Sequence, residues 1–196
     1  MRIVGGKYRS RIIEFPIDEK ITRPTKDMVR EGIFNALGDM VLDSVVLDLF
    51  AGSGSLGLEA LSRGANEAYF VDQSKDAIKV INKNIATLNI NSAHVINANY
   101  VDALNNFKAG NTKFDILFLD PPYKMNIIDD IINFMIDYEL LTNNAIIVIE
   151  TDYDVSLEDV RFTKSKKYKY GKTIVTINRT PLTLFIILQI ILRKTF

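Results

Sequence analysis

Cysteine is absent from this chain. That excludes disulfides, thiolate metal sites and cysteine nucleophiles, and it suits an intracellular protein. Histidine is scarce too. His94 is the single one and precedes Val95 and Ile96 in a strand-like run, which makes it a structural or surface residue rather than a catalytic base. An excess of either charge is missing, with 24 Lys and Arg against 24 Asp and Glu, so the whole molecule carries no electrostatic sign of a polyanionic partner. No apolar run is long enough for a membrane span. The strongest, 182–192, is broken only by Thr183 and Gln189. As a helix it rises about 16 Å, roughly half the hydrocarbon thickness, so it reads as a docked terminal element or an oligomer contact. Lys7, Arg9 and Arg11 interrupt the opening residues, and no secretory signal is expected. Internal repeats and low-complexity linkers are also lacking.

What is present is enough apolar material for a packed core, 47% of 196 residues, in a length that suits one α/β domain with a small appendage. From about residue 45 the pattern alternates. Val45–Phe50, Ala68–Val71, Val95–Ile96, Phe114–Leu119 and Ala145–Ile149 read as strands. Helices are expected from Leu56 to about Gly64, after the N-cap Ser74 with Ile78, Ile81, Ile85 and Leu88 on one face, and over Ile127–Leu141. Apolar strands alternating with helices form a doubly wound parallel sheet. Two strand-like runs, Arg161–Lys169 and Lys172–Arg179, then flank Tyr170-Gly171 as an antiparallel hairpin.

Before residue 45, Arg2–Val4 and Arg11–Phe15 flank Gly5-Gly6 and are expected to pair as a small hairpin. Met28–Leu37 reads as a helix with Val29, Ile33, Phe34 and Leu37 on its apolar face. Residues 1–30 hold eight basic against four acidic side chains, a local positive excess suited to phosphate. The expected division is a basic extension over 1–40, the main domain over 41–180 and an apolar tail over 181–196.

Two constellations carry chemistry. The first is Leu47-Asp48-Leu49-Phe50-Ala51-Gly52-Ser53-Gly54-Ser55-Leu56-Gly57. Glycines after a strand let backbone approach a ligand and turn sharply into a helix. Asp72 ends the next strand, where a carboxylate can accept hydrogen bonds from both hydroxyls of a ribose. NAD and S-adenosylmethionine share this adenosine logic. Asp48 favours the second, because an acid there suits a positively charged methionine end and repels a pyrophosphate. Asn99, after the third strand, is a candidate for the adenine edge, with Gln73 and Tyr100 beside it.

The second constellation is Asp120-Pro121-Pro122-Tyr123, directly after the apolar run Ile116–Leu119. The amino nitrogen of a nucleobase is a poor nucleophile, since its lone pair is delocalised into the ring. Two acceptors for its N–H bonds, the Asp120 side chain and the Pro121 carbonyl, turn that lone pair toward a methyl donor. The prolines stiffen the loop, and Tyr123 can stack on the base. Alignment is then most of the catalytic task. No metal is required.

Three stretches resemble the RsmD-type family of bacterial 16S rRNA (guanine-N2)-methyltransferases: Arg2 to Arg11, Arg23 to Glu31 with Phe34-Asn35, and Leu47 to Ala65 with Asp120 to Tyr123. Ser10 stands where the family usually has glycine, and the tail after Arg179 matches nothing expected of it. The resemblance implies a class I S-adenosylmethionine-dependent methyltransferase fold, Rossmann-like, with a seven-stranded, mostly parallel sheet, a terminal antiparallel hairpin and a small N-terminal β-hairpin extension. It implies catalysis at Asp120, Pro121, Pro122 and Tyr123. It places the cofactor against Asp48, Phe50, Gly52, Gly54, Asp72, Gln73, Asn99 and Tyr100. Lys7, Arg9, Arg11, Arg23 and Arg30 would grip the backbone of 16S rRNA, naked or in a small-subunit assembly particle. A cytoplasmic monomer is expected. The alternatives are a DNA adenine-N6 methyltransferase, disfavoured by the lack of a target-recognition insert, and an NAD-type nucleotide-binding protein.

Overall fold

A computed structural model of the chain describes residues 1–16, 27–122, 127–153, 155 and 162–181. Seven strands form one sheet in the order β3-β2-β1-β4-β5-β7-β6. They are β1 (Val45–Asp48), β2 (Glu67–Asp72), β3 (Ala93–Asn97), β4 (Phe114–Leu119), β5 (Leu141–Thr151), β6 (Lys164–Tyr170) and β7 (Thr173–Arg179). The first five run parallel, β7 pairs antiparallel with β5, and β6 with β7. The helices are α1 (Asp27–Leu37), α2 (Ser55–Ser62), α3 (Lys75–Leu88), α4 (Tyr100–Gly110) and α5 (Ile128–Asp137).

Strand alternation sends neighbouring residues to opposite faces. Val46, Phe70, Ile116, Phe118, Ile146, Val148 and Val175 pack with α1, α2 and α3 on one face. Leu47, Leu117, Leu119, Ile147 and Ile149 pack with α4 and α5 on the other. The central strands are thus covered twice, which is why Val45–Leu47, Ile116–Leu119 and Ala145–Ile149 are continuous apolar runs.

Several expectations hold and several need correction. Ser74 caps α3, its hydroxyl accepting from the Ala77 amide at 3.3 Å. The hairpin around Tyr170-Gly171 is present. The helix expected over Ile127–Leu141 stops at Asp137. Glu139 turns left-handed with φ 52°, the Leu140 amide closes back on the Met135 carbonyl at 2.9 Å, and the chain enters β5 at once. Apolar residues continuing through Leu140 and Leu141 mimic more helix. Helix α4 has no counterpart among the expected elements. The tail from 182 onward lies outside the described residues. Among the described residues no helix is long and apolar enough to cross a membrane.

The N-terminal extension pairs as a short hairpin, with one antiparallel bridge, Arg2 with Ile12, and backbone bonds from the Ile3 amide to the Arg11 carbonyl at 2.9 Å, from Ser10 to Ile3 at 2.9 Å and from Ile13 to Met1 at 3.0 Å. Docking onto helices completes its anchoring. The carboxylate of Glu59 on α2 is fully buried and accepts from the Val4 and Gly5 amides, both at 2.7 Å. It also takes Arg30 Nε at 3.3 Å and Arg63 Nε at 2.8 Å. Asn84 on α3 accepts from the Glu14 amide at 2.8 Å and donates to the Ser53 carbonyl at 3.1 Å, linking the extension to the glycine turn. Ser10 has φ 68°, so the position where the resembling family carries glycine is a left-handed one, which glycine adopts without a Cβ clash.

Arg30 must be reassigned. It was expected on RNA, but it is fully buried. Its guanidinium meets Glu59, the Arg2 carbonyl and Asp27, the last at 2.9 Å. Replacing Glu59 by Gln removes the fully buried one of its two counter-charges and leaves only the half-exposed Asp27. E59Q is expected to lose about 3–5 kcal/mol of stability. Denaturant unfolding measures it, and a loss under about 1 kcal/mol would refute the keystone role of this carboxylate.

Candidate active site

The sheet order reverses between β1 and β4, the position where open α/β sheets bind ligands beyond the carboxyl ends of their strands. Four acids gather there. Asp48 ends β1, paired with Phe70 on β2 and Phe118 on β4. Asp72 and Asp120 lie two residues farther along β2 and β4. Glu150 follows Ile149, which pairs with Leu119, so Glu150 and Asp120 are neighbours on adjacent strands. Strand spacing puts their backbones about 5 Å apart. By the alternation of each strand, all four point to the face that carries α1, α2 and α3.

The turn after β1 is built by left-handed glycines, Gly52 at φ 53° and Gly54 at φ 77°. Gly57 lies so close to the Phe70 ring that a Cβ would clash with it. This close approach brings the N-terminus of α2 down onto β1 and β2. The Gly57 amide donates to Asp48 at 3.1 Å. The Gly52 amide donates to Asp72 at 2.8 Å, and the other Asp72 oxygen accepts from the Ser74 amide at 2.8 Å. Asp72 is therefore fixed in orientation before any ligand arrives, and each oxygen keeps a lone pair for a hydroxyl. Phe50 and Tyr100, ring centroids 5.8 Å apart, make a half-buried apolar wall beside the turn.

The electrostatics separate these acids. Burial pushes the Asp48 carboxyl up to about 7, with Asp72 adding to the rise and the Gly57 amide opposing it. Burial, then the Glu150 and Asp48 charges, push Asp120 well above the ordinary carboxylate range. Both shifts run the same way and favour the protonated acids in the unliganded site. A bound cation would draw those protons off and be held in return.

Of the expected cofactor residues, Asp48, Phe50, Gly52, Gly54, Asp72 and Tyr100 meet around this turn, and Gln73 is exposed at its rim. Asn99 stands at the start of α4. Its side-chain oxygen accepts from the Asp102 amide at 3.0 Å and its Nδ2 donates to the Asp102 carboxylate at 2.7 Å, capping α4. Both ends of the amide are occupied within the cap. Asn97, which sequence reasoning passes over, ties β3 to the rim by donating to the Asp72 and Gln73 carbonyls at 2.9 and 3.1 Å. Of the expected catalytic loop, Asp120 is half-buried, Pro121 is buried and Pro122 is exposed. Tyr123 and Arg23 lie outside the described residues. Lys7, Arg9 and Arg11 are exposed on the extension, with Arg11 within 3.5 Å of the Thr87 carbonyl.

Comparison with known proteins agrees with this geometry. The family model for conserved hypothetical protein 95 matches residues 1–179. Ribosomal RNA small subunit methyltransferase D of Escherichia coli (strain K12) is 38% identical over 160 residues, covering 82% of this chain and 79% of the relative. The protein of the same name from Haemophilus influenzae is 39% identical over 159 residues, covering 80% and 81%. The solved structure of yhhF from Escherichia coli superposes with a TM-score of 0.82 at 32% identity, covering 93% of this chain and 98% of that one.

The raised Asp48 titration bears on the stability of the unliganded protein. A carboxyl that titrates near 7 when folded and near 3.8 when unfolded holds more protons in the folded state between those values. Stability therefore falls as pH rises across that window and stays low above it. Asp48→Asn keeps an acceptor for Gly57 and removes the titration. It is expected to stabilise the unliganded protein by about 2–4 kcal/mol at pH 8, with the gain vanishing near pH 4. Denaturant melts across pH check this, and a gain independent of pH would contradict it.

Proposed function

The chain belongs to the RsmD-type methyltransferase family, and from that premise and the geometry of its strand ends we propose that it transfers a methyl group from S-adenosylmethionine to the exocyclic N2 of a guanine in 16S ribosomal RNA. Its sheet is that of the class I methyltransferase fold. The observation that carries the cofactor reading is the buried acid Asp48, held by the Gly57 amide under the glycine turn. A cofactor with positively charged sulfur and amino groups stabilises its ionised form, whereas the pyrophosphate of NAD would be repelled.

When bound, the cofactor supplies a methyl group already activated on a sulfonium. The chain's own residues then bind, orient and dry. Asp72, fixed by the Gly52 and Ser74 amides, receives the ribose hydroxyls. Asp48 faces the charged methionine end. The Phe50–Tyr100 wall covers an apolar part of the ligand. Asp120 and the Pro121 carbonyl accept the two amine hydrogens and so aim the nitrogen lone pair. Asp120 receives the proton that the methylated nitrogen gives up. Tyr123 stacks on the base, which must be splayed out of its helix to reach this corner.

Glu150 supports guanine over adenine. In guanine the N2 amine is flanked by the N1–H donor; in adenine the N6 amine is flanked by the N1 acceptor. A carboxylate one strand from Asp120 can accept from guanine N1–H and would face the lone pair of adenine N1. The substrate is taken to be 16S rRNA, naked or within a small-subunit assembly particle, and the protein a cytoplasmic monomer.

Asp120→Ala is expected to lower methyl transfer at least about 100-fold while cofactor affinity stays within about threefold of the original. Single-turnover assays and calorimetry with S-adenosylhomocysteine read the two separately, and strong residual transfer would refute the mechanism. Glu150→Ala should lower kcat/KM for guanine about 10- to 100-fold. Unchanged kcat/KM on a guanine RNA would remove Glu150 from base recognition.

A further inference from the structure

The described basic side chains of the extension are partly committed to structure: Arg30 is buried, Arg2 pairs with Asp27 at 3.4 Å, and Arg11 leans on the end of α3. A denser positive region lies elsewhere. Residues Lys164 to Lys172 include five lysines, Lys164, Lys166, Lys167, Lys169 and Lys172, and no acid, in a chain whose charges sum to zero. All five are exposed. They lie on β6, the last strand of the sheet, and in its turn into β7. Lys164, Lys166, Lys169 and Lys172 have no ion-pair partner among the described residues.

Register places the Tyr168–Lys172 end of this strand level with the active site, while Lys164 and Lys166 lie farther back, level with Ile146 and Val148 on β5. Thr151 on β5 pairs with Ile174 on β7, which pairs with Lys169 on β6. Glu150 likewise lines up through Val175 with Tyr168. Two strand spacings separate Glu150 from β6, about 10 Å, close to one Debye length at physiological salt. The hairpin is anchored there. The Tyr170 hydroxyl lies against Gly32 on α1, where a Cβ would collide with it, and Tyr168 and Tyr170 pack onto the core.

We propose that β6 and its turn into β7 form a lysine ledge that binds RNA phosphates and seats the strand beside the acidic pocket. The inference rests on the reading of the substrate as RNA. A pocket floored by Asp48, Asp120 and Glu150 repels a polyanion, so nearby cations must hold the backbone while one base enters. Lysine provides that attraction without base specificity. Guarding a sheet edge against pairing requires charge on the strand itself, but not its continuation to Lys172 in the turn at the pocket's end of the sheet.

The test uses the full chain and a labelled single-stranded oligoribonucleotide, with affinity read by fluorescence anisotropy over a range of salt. The variant K164Q/K166Q/K169Q/K172Q should flatten the slope of log affinity against log salt by about 2–3, at about 0.7 for each phosphate no longer neutralised. Its melting temperature and its affinity for S-adenosylhomocysteine should be retained, and arginine at the same four positions should restore the slope. An unchanged slope in a folded glutamine variant, with the original protein still binding and methylating RNA, overturns the ledge and leaves the substrate reading intact. Self-association of that variant with unchanged RNA affinity overturns it too, in favour of edge protection. If the original protein binds no RNA, both the substrate reading and the ledge fall.

Discussion

Desolvated carboxylates at the ends of neighbouring parallel strands are the constraint from which the rest of this protein follows. A folded chain does not readily keep an acid such as Asp48 buried with a single backbone donor, because burial, with Asp72 adding to it, moves its titration to about 7 against the pull of the Gly57 amide. Asp120 is worse placed, with two further acids nearby. Packing does not require these charges, and apolar residues there would be easier to bury. Their presence at the sheet's switch point is intelligible if a cation completes the site, and the energetic cost in the empty protein is the preorganisation of the loaded one.

Glu59 shows the opposite treatment of a buried acid. Its two oxygens take four donors, two from backbone and two from arginines, and so it welds the extension, α1 and α2 into one body. The same residue class thus serves structure where donors surround it and chemistry where they are withheld. The distinction reaches function through Asn84, which joins Glu14 of the extension to Ser53 in the glycine turn. The extension is part of what holds the cofactor loop in place, apart from any contact with nucleic acid.

Most of the sheet is legible in the sequence because buried parallel strands carry continuous apolar runs and end in recognisable turns. The glycine turn, Asp72 and Asp120-Pro121-Pro122 are legible for a related reason: their chemistry is local to a strand end. What escapes is set by distant partners. Arg30 looks like any surface cation until Glu59, 29 residues away, is brought against it. Asn99 reads as a ligand for adenine, yet its spacing to Asp102 is that of a helix cap, a signal that also reveals α4. The overextended helix before β5 fails differently, since apolar periodicity does not report where a left-handed residue such as Glu139 ends it.

The distribution of charge resolves an apparent conflict in the whole. A neutral chain with an acidic pocket is a poor candidate for a polyanionic substrate if only totals are counted. Sorted by place, Asp48 is buried beneath the turn and Asp72, Asp120 and Glu150 are half-buried around it, where their field is directed at a small cationic ligand. The lysines stand on an exposed edge, where a nucleic-acid backbone would meet them first. Burial strengthens the former interaction and solvent screens the latter. A cofactor can therefore be held tightly at a salt concentration that lets a long RNA exchange. An enzyme that must release one large product before engaging the next requires that separation, and it is built here from one sheet whose central strand ends are acidic and whose outermost strand is basic.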